Sequence, residues 1–456
     1  MQEKLSAKDL KKMSKEAFLN SMKELLGDEY ESFEASLTLP AFRGVYVNTL
    51  KCDPERFLSL FPFETSPTPF SENGFYIENE LSGIGKHPLH HAGAFYVQEP
   101  SAMSAAAALE INKGDKVLDL CAAPGGKTTA LAGALDGTGL LWSNEYVKSR
   151  AFTLLSNCER IGVKNCVVSS ASSEALAREL PCFFDKILVD APCSGEGMLR
   201  REKAEYEKWS ESNITLCAER QRDILKNAAK MLKNGGELVY STCTFNRKEN
   251  EDIALWFLST HPEFELVNIE NNFGSPGFGM PEAKRVFPKD GGEGHFVVKF
   301  KKHGGQDVVK PKSFTGSPAP KEFYDFYKSA FSKDLENKPF EIGGKVYIIP
   351  DGFPATKHIN ILRAGILAGE MKGKLFFPSH ALYSASEFED VKNKISLSLA
   401  DKRLTAFLHG EEIDVSDFQV QKGFCGVYAE KIPLGFGKVS NMKLKNHYPK
   451  GLRNLN

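Results

Sequence analysis

Between residues 96 and 300, short apolar runs alternate with stretches of helical periodicity. The runs "DKVLDLCA", "GLLWSNE", "NCVVSS", "DKILVDAP", "GGELVYST" and "GHFVVKF" each suit one buried strand. Between most of them lie amphipathic patterns such as "SRAFTLLSNCERIG" and "AERQRDILKNAAKMLKNGG". This alternation predicts an α/β fold, a parallel, doubly wound sheet with helices on both faces. Upstream, the chain opens on a charged amphipathic helix pattern. "VYVNTLKCDPERFLSLF" then reads as strand, turn and helix of a small α/β domain, RRM-like in outline. Downstream, "KKHGGQDVVKPKSFTGSPAPK" reads as a linker, and a second break falls near "GEMKGK", residues 369–374. Four units are therefore expected, over residues 1–95, 96–303, 304–372 and 373–456.

Composition narrows the class. A chain of 456 residues suits two to four domains at roughly 100–200 residues each. The net charge of -1 means that nucleic-acid affinity must come from local patches. There is no apolar run long enough to span a membrane, and the start, "MQEKLSAKDLKKMSKEAFLN", lacks a signal-peptide apolar core. A cytoplasmic protein is expected, working as a monomer. The nine cysteines are odd in number and include no Cys-x-x-Cys pair, which argues against a disulfide framework and against a zinc site. No metal is expected.

The stretch "DLCAAPGGKTTALAG" carries the first candidate chemistry. A triphosphate loop would need a glycine where Cys121 stands, and Pro124 removes one N–H donor from the turn. The alternative is a nucleoside-cofactor turn. The apolar run ends in Asp119, and Cys121, Ala122, Ala123, Pro124, Gly125, Gly126 and Lys127 lead into a helix. Small residues there let a ligand approach the backbone at the carboxyl end of the sheet. Glu145 closes the next strand, where a carboxylate accepts hydrogen bonds from ribose hydroxyls. This pair alone does not separate a dinucleotide from S-adenosylmethionine. Two thiols do: "VDAPCSGEG" places Asp190 and Cys193 after the fourth strand, and "YSTCTF" places Cys243 after the fifth. Neighbouring strand ends face one cleft.

In their order and at these strand ends, "DLCAAPGGK", "DAPCSGEG" and "STCTF" resemble the signature motifs of the NOL/NOP/Sun family of RNA 5-methylcytosine methyltransferases. "FYVQEPSAM", residues 95–103, resembles the segment that precedes the cofactor turn there. "FFPSHALYSAS" and "GFGKVSNMKLKNHYPKGL" resemble the C-terminal part of the bacterial RsmF-type branch, which methylates small-subunit rRNA and ends in a PUA-like domain. The resemblance implies a Rossmann-like class I methyltransferase sheet, S-adenosylmethionine as cofactor and RNA as partner. It makes Cys243 the nucleophile and gives Cys193 the release of the covalent adduct. Cytosine carbon 5 is a poor nucleophile until a thiolate adds to carbon 6, which suits Cys. Asp190 is placed to hydrogen-bond the cytosine edge beside the methyl donor. Lys127 either steadies the cofactor turn or contacts RNA. One position departs from the family: Ser172 stands where an acid near the adenine ring is expected, with Glu174 close by.

Chemistry on a base requires that it be taken out of its stack, and binding then rests on phosphates and stacking. Residues 431–456 contain no Asp or Glu. Their Lys443, Lys445, Lys450 and Arg453 are the expected RNA contacts, with His447 and Tyr448 interleaved. Arg200 and Arg201, just past the second motif, are further candidates. The rival readings are the same chemistry on tRNA, a non-catalytic RNA-binding assembly factor, and a nicotinamide dehydrogenase.

Overall fold

The computed structural model describes residues 7–78, 83–201, 209–304 and 311–453, with side chains from residue 14 onward. After a helix at Ala7–Leu26, an antiparallel sheet in the order β2-β3-β1-β4 forms from β1 (Gly44–Val47), β2 (Thr65–Pro67), β3 (Gly74–Ile77) and β4 (Phe95–Gln98).

All six strand candidates of the central segment form strands: β5 (Lys116–Asp119), β6 (Leu140–Asn144), β7 (Cys166–Ser169), β8 (Phe184–Asp190), β9 (Leu232–Thr242) and, after β10 (Phe264–Val267), β11 (Ser275–Gly277) and β12 (Met280–Val286), β13 (His295–Lys302). Strands β9, β8, β5, β6 and β7 lie parallel in that order, while β13, β12 and β11 extend the sheet antiparallel beyond β9. Every residue of β6 is buried, as expected of a parallel strand covered on both faces. Helices fill the crossovers. In Glu211–Met231, Ser210 caps the first turn and Ile214, Cys217, Ala218, Gln221, Leu225 and Ala228 form the buried stripe. β6 and β8 flank β5 on opposite sides, so the sheet changes winding direction at β5, where ligands bind in open α/β sheets.

The downstream strands are β14 (Ser317–Pro318), β15 (Lys338–Ile342), β16 (Lys345–Ile349), β17 (Ile361–Ala364), β18 (Ile366–Lys372) and β19 (Leu375–Pro378). The last sheet holds β20 (Lys394–Leu397), β21 (Ile413–Asp414), β22 (Gly423–Ala429), β23 (Ile432–Ser440) and β24 (Lys443–Asn446). The break near residues 369–374 is the turn of the β18–β19 hairpin, with Gly373 in the left-handed region. Part of the expected linker, residues 305–310, lies outside the described residues, but Ser317–Pro318 already pairs with β15.

The units interlock more than their sequence boundaries suggest. β17 leaves its neighbours and pairs with β7, extending the methyltransferase-type sheet. Phe353 stacks on the buried Trp142 of β6. The first and last units share one core, in which Val45, Phe57 and Phe95 pack with Leu404, Phe407 and Tyr448.

Candidate active site

The site is assembled at the carboxyl ends of β5, β6, β8 and β9. After β5, Gly125 takes a left-handed φ of 118° and starts the helix Gly126–Leu135. That φ is why glycine is needed at 125, while a Cβ on Gly126 would meet the Gln98 side-chain oxygen at 2.2 Å. Arg150 donates to the carbonyl of Ala123 and Asn157 to that of Pro124, fixing the turn from the next crossover helix. Asn144 ties the strand ends together, donating to the carbonyls of Leu120 and Ala171 and accepting from Ser169 Oγ.

Glu145 is buried just past β6, accepting from Val147 N–H at 2.8 Å and pairing with Arg150 at 3.2 Å. A carboxylate offers about four lone-pair sites, so acceptor capacity remains. Ser172, at the expected adenine-side position, is the N-cap of Ser173–Glu179 and accepts from Ala175 N–H. It is committed to the helix.

Asp119 is fully buried. One of its oxygens accepts from Thr128 Oγ1 at 2.7 Å and the other has no partner. Burial, reinforced by the nearby Asp190, pushes its pKa from 3.8 up to about 7. A carboxyl whose folded pKa is raised stabilises the fold fully below pH 4 and loses that contribution as pH rises through 7. Moving the carboxyl from 3.8 to about 7 is worth about 4 kcal/mol, at 1.36 kcal/mol for each tenfold change in its ionisation. Asp119→Asn should therefore match the parent near pH 4 and melt progressively higher than it between pH 5 and 8. Parallel melting curves across that range would contradict this.

Lys127, Asp190, Cys193 and Cys243 converge. The Lys127 ammonium donates to Asp190 Oδ2 at 2.7 Å, and Ser241 Oγ donates to Oδ1 at 2.8 Å. Burial opposes the Asp190 charge, but the Lys127 ammonium and the Ser241 hydroxyl outweigh it and hold the carboxyl below its ordinary value. The same ion pair raises Lys127 against its own burial. The two thiols lie 3.4 Å apart, sulfur to sulfur, and neither is oxidised. Their surroundings differ. Lys127 lies within electrostatic reach of Cys243. Cys193 is raised well above an ordinary thiol by its hydrogen bond to Cys243 and by burial, with Glu249 adding negative charge.

Two carboxylates missed in the sequence hold the cysteine loops against each other. Glu196 Oε2 accepts from Thr244 Oγ1, from the N–H groups of Phe245 and Asn246 and from Asn246 Nδ2, while Oε1 accepts from Trp209 Nε1. Glu249 accepts from Ser194 N–H, Gln221 Nε2 and Asn246 Nδ2. The Gly197 N–H donates to the Cys243 carbonyl, and a Cβ on Gly197 would lie 2.7 Å from Gly294 O. His295 was also missed, because "GHFVVKF" reads as a plain strand. It is buried 3.8 Å from Asp190, and burial lowers its pKa to about 3, so it is neutral. Among the described residues no cluster of three or more His, Cys, Asp or Glu is arranged to hold a metal.

The sequence matches the family described as 16S rRNA methyltransferase RsmB/F over residues 106–301. It also matches the N-terminal domain of RsmF over 15–100, the RsmF first C-terminal domain over 325–385 and the RsmF PUA domain over 394–454. It is 31% identical to ribosomal RNA small subunit methyltransferase F of Vibrio campbellii, covering 96% of this chain and 97% of that one. The corresponding protein of Shigella dysenteriae is 31% identical, covering 96% of each chain. The chain belongs to the ribosomal RNA small subunit methyltransferase F family. A methyltransferase homologue from Pyrococcus horikoshii is similar in structure, with a TM-score of 0.56 at 30% identity, covering 63% of this chain and 94% of that one. NSun6 from the same organism shares the fold, with a TM-score of 0.57 at 24% identity, covering 63% of this chain and 98% of that one.

The methyltransferase F family uses S-adenosylmethionine, and the turn fits it. Small residues line the end of β5, Glu145 retains acceptor sites for a ribose, and the anionic Asp190 suits a cationic sulfonium. The RNA candidates fare unevenly. Arg201, Lys443, Lys445 and Lys450 are exposed. Arg200 is not a free surface cation: it pairs with the buried Glu293 at 3.4 Å, donates to Pro40 and lies over Phe42. Arg453 turns inward to the Tyr448 carbonyl and packs on Gly410. Tyr448 is itself core, bonded to His91. The segment 202–208 beyond Arg201 lies outside the described residues. No described helix is long and apolar enough to cross a membrane.

Proposed function

We propose that the protein methylates carbon 5 of cytosine in 16S rRNA through a covalent adduct on Cys243, with Cys193 releasing the product. The observation that carries this reading is the pair of thiols 3.4 Å apart, just past the ends of β8 and β9, in the cleft that also holds the Lys127–Asp190 ion pair. S-adenosylmethionine, when bound, supplies an electrophilic methyl group. The nine free cysteines suit the reducing cytoplasm, where rRNA is made.

The Cys243 thiolate bonds to cytosine carbon 6 and pushes the ring electrons to carbon 5. Ionised Asp190 accepts from the exocyclic amine, and it engages N3 only if N3 carries a proton. Held by Lys127 and Ser241, it needs no reorganisation as the ring charge changes. Once carbon 5 carries its methyl group, a water molecule takes the carbon-5 proton and that bond's electrons return to the ring. The carbon–sulfur bond breaks and Cys243 leaves as a thiolate. Cys193, kept protonated by its surroundings, donates its hydrogen bond to the departing sulfur and so assists release. Glu196 and Glu249 touch no substrate; they position the two loops.

Purified protein, tritiated S-adenosylmethionine and 16S rRNA should yield label that co-migrates with 5-methylcytosine after nuclease digestion. Label in tRNA alone, or in another nucleoside, would overturn the reading.

A further inference from the structure

The helix Glu211–Met231 buries an apolar stripe and, in the middle of it, the carboxamide of Gln221. Gln221 is fully buried. Its nitrogen donates to the Pro192 carbonyl at 3.1 Å and to Glu249 Oε2 at 2.8 Å. Its oxygen has no hydrogen-bond partner among the described residues. Burying an unpaired acceptor is unfavourable, and an apolar side chain would fill the stripe between Ala218 and Leu225 without that cost. Packing does not call for a glutamine here; the two donated hydrogen bonds do.

Both bonds act on the backbone around Cys193. Pro192 precedes it, and Ser194, which follows it, donates its N–H to the same Glu249 Oε2 at 3.0 Å. Gln221 holds the carbonyl on one side of Cys193 directly and, through Glu249, the N–H on the other. These contacts fix the backbone from which the thiol reaches to 3.4 Å from Cys243. The Cys243 side has its own anchors. Glu196 accepts from Thr244, Phe245 and Asn246, Gly197 donates to the Cys243 carbonyl, and Asn250 donates to that of Thr244. None of those bonds involves Gln221. A thiol that must donate to a departing sulfur has to stay aligned with it, and small misplacements cost rate.

We propose that Gln221 is a positioning residue for the release step alone: it aims the Cys193 thiol at Cys243 without setting the nucleophile. This rests on the reading of Cys193 as the release thiol and adds what holds it in place. The test compares the first and later turnovers of the full chain with 16S rRNA and tritiated S-adenosylmethionine. In Q221M the side chain keeps its volume and loses both donors. Its first methyl transfer should stay within about two-fold of the parent, while later turnovers fall about thirty-fold. An RNA–protein complex that survives denaturing electrophoresis should build up as turnover stalls. A lesion that merely loosened the fold would slow first and later turnovers together and trap nothing. Q221H, whose ring N–H can restore one of the two donations, should stall less than Q221M and trap less RNA; should Q221M fold poorly, Q221H alone still shows a fast first turnover followed by a stall. Equal slowing of first and later turnovers, or no trapped complex, would overturn the proposal, as would a stall in Q221H no milder than in Q221M. Cys193→Ala, measured in parallel, separates the two readings. If it traps RNA and the Gln221 variants do not, the positioning role alone falls. If it traps none, the release role of Cys193 falls and takes this proposal with it.

Discussion

Cys243→Ala is expected to abolish methyl transfer, lowering the rate at least ~10³-fold, because no thiolate remains to activate the ring. Cofactor affinity should be nearly unchanged. Cys243 lies at the end of β9, whereas the cofactor turn and Glu145 follow β5 and β6. The side chain lost is small, and its loop is held through backbone groups: Gly197 bonds its carbonyl and Glu196 the next N–H groups but one and two. The loop should therefore keep its place. Tritium transfer under single-turnover conditions and calorimetry with S-adenosylmethionine check the two halves. Transfer surviving at a tenth of the parent rate would sink the assignment of the nucleophile.

The second large effect is expected at a residue that does no chemistry. Glu196 is buried and accepts five hydrogen bonds, from Trp209, Thr244, Phe245 and Asn246. Glu196→Ala leaves these donors unsatisfied, and each buried orphan costs about 1–3 kcal/mol. Allowing for relaxation and water entry, a loss of about 3–5 kcal/mol is expected, at the upper end for single substitutions. Activity should fall with it, because the same carboxylate fixes the Cys193 loop against the Cys243 loop. Glu196→Gln restores the volume, but its amide nitrogen cannot accept, so it should recover only part of both. Thermal melting and transfer assays on the two variants test this. A melting temperature within 2° of the parent for the alanine variant would show that the bracket is dispensable.

The sequence made the central sheet legible because its strands are buried on both faces and read as apolar runs between helical patterns. The cofactor turn and both thiols were legible for a chemical reason: small residues and cysteines at strand ends have few purely structural uses. Glu196 and Glu249 were not. A carboxylate in "SGEG" or "NRKENE" looks solvated, and only the folded loops reveal the donors aimed at it. Arg200 and Arg453 misled for the converse reason: charge in a sequence carries no information about which way a side chain turns. β17 escaped because edge pairing with β7 depends on tertiary placement, not on periodicity. Its antiparallel addition also explains why the unit that follows the sheet packs into it through Phe353.

The central claim, a covalent route with the two thiols in distinct roles, is tested most directly by trapping. Cys193→Ala protein incubated with 16S rRNA and S-adenosylmethionine should accumulate an RNA–protein complex that survives denaturing electrophoresis, because Cys243 still attacks and release is impaired. Adding Cys243→Ala should abolish it. A trapped complex in Cys243→Ala instead would exchange the two roles, and no trapped complex in either single variant would contradict the covalent mechanism itself.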